Sequence, residues 1–189
     1  MMDIDIQKGM ARIRGIPNYP VIQSKAKYAL LDISLSTLAA AFEEVAKRVP
    51  EFKAEIAGWN DGRRFAVGVL PKGPYITLEK RGDMTHYLGK GLLSPDVTFL
   101  FKNLDSGVLV FTGLMSSHQA VAECRALVKG NIGYAMELNR ALAIVETYLF
   151  PGIILKRIFK EPPKLSSAQL ITKGKVYGAL LPALIRQMV

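Results

Sequence analysis

The side chains suited to proton transfer or nucleophilic attack are few and far apart. Two histidines, His86 and His118, and one cysteine, Cys124, make up the whole supply of imidazole and thiol. His86 falls on a predicted strand and His118 at the start of a short predicted helix. Neither has an acid or base partner within sequence reach, so both read as surface or hydrogen-bonded structural histidines. Cys124 lacks a neighbouring activating motif and is expected to act as a small buried hydrophobe. Lys90 follows Gly89, but a phosphate-binding loop would need Gly where Met84 stands and Ser or Thr where Gly91 stands. No nucleophile elbow, zinc-protease pair or dinucleotide fingerprint appears. A catalyst needs groups of matched pKa in one cleft. This chain offers none in sequence, so no reaction, metal or cofactor is expected of it. One cysteine also excludes an internal disulfide and a cysteine-based zinc site.

The bulk properties bound the size and class of the chain. A chain of 189 residues fits one domain, or one domain with extensions, and 50% hydrophobic residues suffice for a sizeable core. Charge, Gly or Pro interrupts every apolar stretch within about a dozen residues, too soon for a membrane span. The start, Met1-Met2-Asp3-Ile4-Asp5-Ile6, does not read as a secretory signal, and Arg186-Gln187-Met188-Val189 is no peroxisomal address. A cytoplasmic location is the expectation. The net charge of +9 is spread over Lys8 to Arg14, Lys47-Arg48, Arg63-Arg64, Lys80-Arg81 and Lys156 to Lys164. These groups lack the aromatic interleaving of a base-stacking surface, so nucleic acid is not expected as a partner. The last group, next to apolar Ile153 to Phe159, suggests weak contact with an anionic membrane surface.

The periodicity supplies the elements. Ser36 or Thr37 is placed to cap a helix whose Leu38, Phe42, Val45 and Val49 share a face, with Pro50 as its stop. The period then drops to two. Phe52, Ala54 and Ile56 predict a strand, Asn60-Asp61-Gly62 a hairpin turn, and Phe65, Val67 and Val69 the return strand. Pro71-Lys72-Gly73-Pro74 turns into Tyr75–Lys80, and Gly82-Asp83 into Met84–Leu88. Pro95 opens a strand over Asp96–Lys102. These strands read as an antiparallel meander. Leu104, Val108, Phe111 and Met115 then recur at helical spacing up to a break near Gly113. Ser116-Ser117 caps a second short helix through Ala120, Val121 and Cys124. A strand over Ala126–Lys129 ends at Gly130-Asn131, and Asn131 caps the long helix striped by Ala135, Leu138, Leu142, Val145 and Leu149. Residues 1–35 are read as an N-terminal extension packing on the body, 36–150 as the domain, and 151–189 as a C-terminal apolar extension. That last piece is expected to fold back as a lid or to reach a second copy in a homodimer. For Trp59 the expected role is core or turn packing.

This order of elements resembles the sterol carrier protein 2 (SCP2) family of lipid-binding domains over about residues 36–149. The resemblance is sharpest at Asp96-Val97-Thr98-Phe99, Gly113, Ala120 and Gly130-Asn131 with Ala135, Met136 and Leu138. It implies an α+β fold: a twisted, mainly antiparallel sheet of five or slightly more strands, backed by helices around an apolar tunnel. The tunnel would hold a hydrophobic small molecule, fatty acyl, sterol-like or other lipid, without catalysis. The resemblance places its wall at Phe99, Phe101, Leu104, Val108, Phe111, Met115, Val121, Val128, Met136 and Leu138. Periodicity alone lets the same side chains fill an ordinary core. The alternative function is accordingly an interaction or dimerisation module with no ligand, serving as a partner of an enzyme. The family often has Pro in the second short helix, where this chain has Ser117-His118-Gln119.

Overall fold

The computed structural model describes residues 19–159, 161, 163 and 165–188. The first half of the expected N-terminal extension, and Lys160, Pro162 and Lys164 of the basic segment, lie outside the described residues. Helix α1 runs Tyr19–Arg48, and α2 runs Pro50–Ile56. Strands β1 Arg64–Val69, β2 Tyr75–Arg81, β3 Met84–Lys90 and β4 Val97–Phe101 follow. Helices α3 Leu104–Phe111 and α4 Ser117–Ala122 lead to β5 Ala126–Gly130 and α5 Ile132–Leu149. The chain closes with α6 Gly152–Ile158 and α7 Ser167–Met188.

The fold is α+β, with a five-stranded sheet in the order β3-β2-β1-β4-β5. Three of its pairings are antiparallel, but β1 and β4 run parallel, with Phe65 opposite Val97 and Val67 opposite Phe99. The meander therefore ends at β3, and the chain crosses to the far side of β1 before adding β4 and β5. The Asp96 carboxylate secures this join by accepting the Arg64 backbone N–H at 2.8 Å. Alternation along the strands sends Phe65, Val67, Val69, Ile76, Leu78, Val97, Phe99 and Phe101 into one core with the helices. The register lines up a row Ile76–Val67–Phe99–Val128 across the sheet, from its middle to the edge strand.

Four local expectations are corrected. Ser36 and Thr37 do not cap a helix; they sit inside α1, where their hydroxyls donate to the carbonyls of Asp32 and Ile33. Phe52–Ile56 is not a strand: Pro50 opens α2 as its first residue, and Phe52 and Ile56 are buried one helical turn apart. Asn60-Asp61-Gly62 consequently joins a helix to β1 rather than two strands. Cys124 is exposed and adopts a left-handed φ of 55°, because it ends α4 at the turn into β5. Trp59 is buried, edge-on to Phe65 with ring centroids 5.7 Å apart.

The long α1 is buried on every side at its centre, where Ala39, Ala40, Ala41 and Phe42 are all inaccessible. It contacts β2 and β3 and also packs against α3, α5 and α7. Small residues allow that crowding. At the α1–α3 crossing, a Cβ on Gly107 would sit 3.0 Å from Leu31 Cδ2.

Candidate functional site

The site is built on α5, and α5 starts where the sequence places it. Asn131 accepts the Tyr134 N–H on its side-chain oxygen at 3.2 Å, satisfying one of the free donors of the first turn. Gly130 before it has a φ of 108°, and a Cβ there would run into the Asp96 carbonyl oxygen. Together they turn the chain from the edge strand into the helix. Arg63 braces the same corner: its guanidinium lies 3.6 Å from the Tyr134 ring centre and pairs with the Glu137 carboxylate.

Along α5 the residues Ile132, Ala135, Met136, Asn139, Leu142, Glu146 and Leu149 recur three or four apart, so they form one face. That face lines two spaces in succession. Its N-terminal half walls an open groove of about 300 Å³ with Phe99, Val121 and Val128. Side chains around this groove are well exposed for their type: Ile132 at 81% and Met136 at 57%. The groove's polar side chains are His118 and Asn139, whose ring Nε2 and amide nitrogen lie 3.0 Å apart. The C-terminal half of the face borders an interior cavity of only about 20 Å³, with Phe101, Phe111, Leu142, Leu149 and Phe150 around it. Among the described residues, Phe99 alone lines both. The sheet register explains why: Val67, beside it on β1, lies in the core, while Val128, beside it on β5, lies in the groove.

The interior cavity contains a carboxyl. Glu146 is 5% exposed, Ser117 is 4% exposed, and both line it. Among the described residues, neither Glu146 Oε2 nor Ser117 Oγ has a hydrogen-bond partner beyond the contact between the two side chains themselves. Burial pushes the Glu146 pKa up to about 7, while the neighbouring Ser117 hydroxyl pulls the other way.

Of the side chains expected to form a tunnel wall, Phe99, Phe101 and Phe111 border the cavity, and Phe99, Val121, Val128 and Met136 border the groove. Leu104, Val108, Met115 and Leu138 line neither; they pack in or against the hydrophobic core. Glu146 and Ser117 are not among the expected site residues: the expected cap Ser116-Ser117 is made by Ser116, and Ser117 lies inside α4 and lines the cavity. The signal was present for Glu146, which stands four residues after Leu142 and three before Leu149, inside the apolar stripe. A charge at that position of a buried face asks for an explanation.

The last two helices close the C-terminal end of α5. Lys173 Nζ donates to the carbonyls of Thr147 and Phe150 at 2.7 and 2.6 Å, and Tyr177 Oη donates to Leu149 at 3.0 Å. Two side chains of α7 thus collect carbonyls that the end of a helix leaves free. In α6, Ile154 packs onto Gly113, whose φ of 71° ends the turn after α3.

Among the described residues, no three His, Cys, Asp or Glu side chains group as metal ligands, and no helix is long and apolar enough to cross a membrane. No family model and no curated protein matches the chain. Among solved structures it is similar to palmitated SCP2L2 of Aedes aegypti, with 14% identity, a TM-score of 0.40, and 56% of this chain against 91% of that one covered. It is also similar to sterol carrier protein domain 2 of Helicoverpa armigera, with 18% identity, a TM-score of 0.37, and coverage of 55% against 81%. A third is the ubiquinone synthesis protein UbiJ-SCP2, with 14% identity, a TM-score of 0.38, and coverage of 69% against 100%. Matches this loose are matches of outline, and they leave the functional reading to the groove and cavity themselves.

Proposed function

We propose that this chain holds a lipid-like apolar small molecule along the Ile132–Leu149 face of α5 and does not transform it. The observation that carries the reading is the 300 Å³ groove, walled mainly by apolar side chains and continued along the same helix face by the interior cavity. An 18-residue helix presents about 27 Å of such a face, a length that accommodates an extended chain of about 16 carbons. Each Å² of apolar surface so buried contributes about 25 cal/mol before the costs of association. Phe99 separates the two spaces, so a long ligand displaces that ring to occupy both.

The test uses a neutral fluorophore, diphenylhexatriene, with Val128→Trp filling the groove and Phe111→Trp filling the cavity. Val128→Trp is expected to weaken uptake about tenfold, with cooperative unfolding retained in both proteins. Uptake unchanged in both variants would place the ligand elsewhere or remove it. A second reading has one observation in its favour: the interior is nearly filled, leaving 20 Å³. The groove would then dock a partner chain instead. Native mass spectrometry of the purified protein separates the two, since a co-purifying lipid supports the carrier and a ligand-free complex supports the docking module.

A further inference from the structure

We infer that the Glu146–Ser117 pair is the receptor for the polar end of the bound molecule, and that this end is a neutral hydroxyl or carbonyl oxygen rather than a carboxylate. The inference rests on the apolar-ligand reading above and adds the chemistry of the ligand's head.

Beyond the contact between its own two members, the pair is left for a ligand or a water to satisfy. Glu146 Oε2 and Ser117 Oγ are buried, line one cavity and have no other partner among the described residues. A buried polar atom without a partner is unfavourable by about 1–3 kcal/mol, and one contact between Ser117 and Glu146 leaves hydrogen-bonding capacity on both groups facing the cavity. The cavity's 20 Å³ admits one water-sized atom. That is the size of a single hydroxyl or carbonyl oxygen, and too small for a phosphate or a sugar.

The lining also selects the charge. Among the described residues, the lining besides Glu146 holds no ionisable side chain, and Ser117 is the other polar one. A carboxylate head would meet no cation of that described lining and would face a second carboxyl. A protonated Glu146 donates one hydrogen bond, and the Ser117 hydroxyl can donate another. Two donors suit the lone pairs of one ligand oxygen, and burial keeps a proton on Glu146 up to about pH 7. Phe99 is the shared wall, so the head enters from the groove by moving that ring and the apolar tail stays behind it.

The test compares four competitors for bound diphenylhexatriene: decan-1-ol, decan-2-one, decane and decanoate. With the native protein, the alcohol and the ketone are expected to displace the fluorophore at about tenfold lower concentration than decane, two hydrogen bonds' worth, while decanoate gains nothing. Replacing the pair, as Glu146→Leu with Ser117→Ala, should collapse the alcohol-to-alkane ratio toward one; the ratio is the readout, not the absolute affinity. Glu146→Gln keeps an amide donor and should keep most of the preference. If the double variant does not fold, the native competition decides alone. Equal displacement by alcohol and alkane, or strongest displacement by decanoate, overturns the inference while the apolar-ligand reading stands. Displacement by none of the four, together with no uptake of the fluorophore, overturns both.

Discussion

Glu146 adds a pH dependence to the stability of this protein as well as to its proposed chemistry. Its pKa rises from 4.5 to about 7 on folding because burial penalises the carboxylate. A group that binds its proton more tightly when folded stabilises the fold at low pH. The contribution is fully present below about pH 4.5 and is lost as pH rises to about 7, after which the loss is constant. A shift of that size corresponds to about 3 kcal/mol. Glu146→Gln removes the ionisation while keeping the shape. Its melting temperature should match the native protein's near pH 4.5 and exceed it by on the order of 10 °C near pH 8. Calorimetry across that range checks this, and parallel curves for the two proteins would show that Glu146 has a partner or water access that lowers its cost. Asn131, at the other end of α5, shows the opposite case: a residue whose role was readable because capping is local. The Gly-Asn pair precedes the helix in sequence, and its side chain bonds an amide three residues on.

Helix α7 shows how an element with a poor sequence signal becomes ordered. It carries Gly174, Gly178 and an internal Pro182, each unfavourable in a helix. Its order comes from docking: Val176 and Leu180 are buried, and the helix packs along α1 and touches α5. Lys173 supplies the polar half of that contact. Burial pushes its pKa down, yet its ammonium bonds two carbonyls at a helix C-terminus, where a cation is favoured. Lys173→Met keeps the apolar stem and removes the donors. It should weaken docking by about 1.5–3 kcal/mol, the usual value of hydrogen bonds to a charged group. Amide exchange over residues 167–188 should then quicken by about tenfold or more, with the sheet amides little changed. Unaltered exchange in α7 would mean that Val176 and Leu180 hold the helix without help.

In the whole molecule, that docking bears on the fate of the C-terminal extension. It lies against α1 and α5 of its own chain at the end of the α5 face, and we propose that it acts there as a cis lid. Truncation after Glu161 would expose α1 and free the end of α5. A fall in melting temperature and faster release of diphenylhexatriene, from a protein of unchanged assembly state, are expected. A dimer falling to monomer would place α7 on a second copy, and no change in any of the three would make it dispensable.

Much of this architecture was legible beforehand, in the segments where the local pattern and the tertiary role agree. Phe65–Val69, Tyr75–Lys80 and Asp96–Lys102 alternate because each has one face on the core. Gly113 and Gly130 were readable because left-handed backbone demands glycine at those turns. Phe52–Ile56 misled because five residues match a strand period and a helical i, i+4 pair equally well, and Pro50 decided for the helix. The sequence by itself determined the strands after Arg63, the cap at Asn131 and the apolar face of α5, all of which follow from neighbours a few residues apart. Tertiary structure alone decided that β4 lies parallel to β1 and that Phe99 divides a groove from a cavity. It also brought Ser117 to Glu146 and seated α7 on α1. Each of these joins residues distant in sequence, and only long-range packing chooses among the pairings that local pattern leaves open.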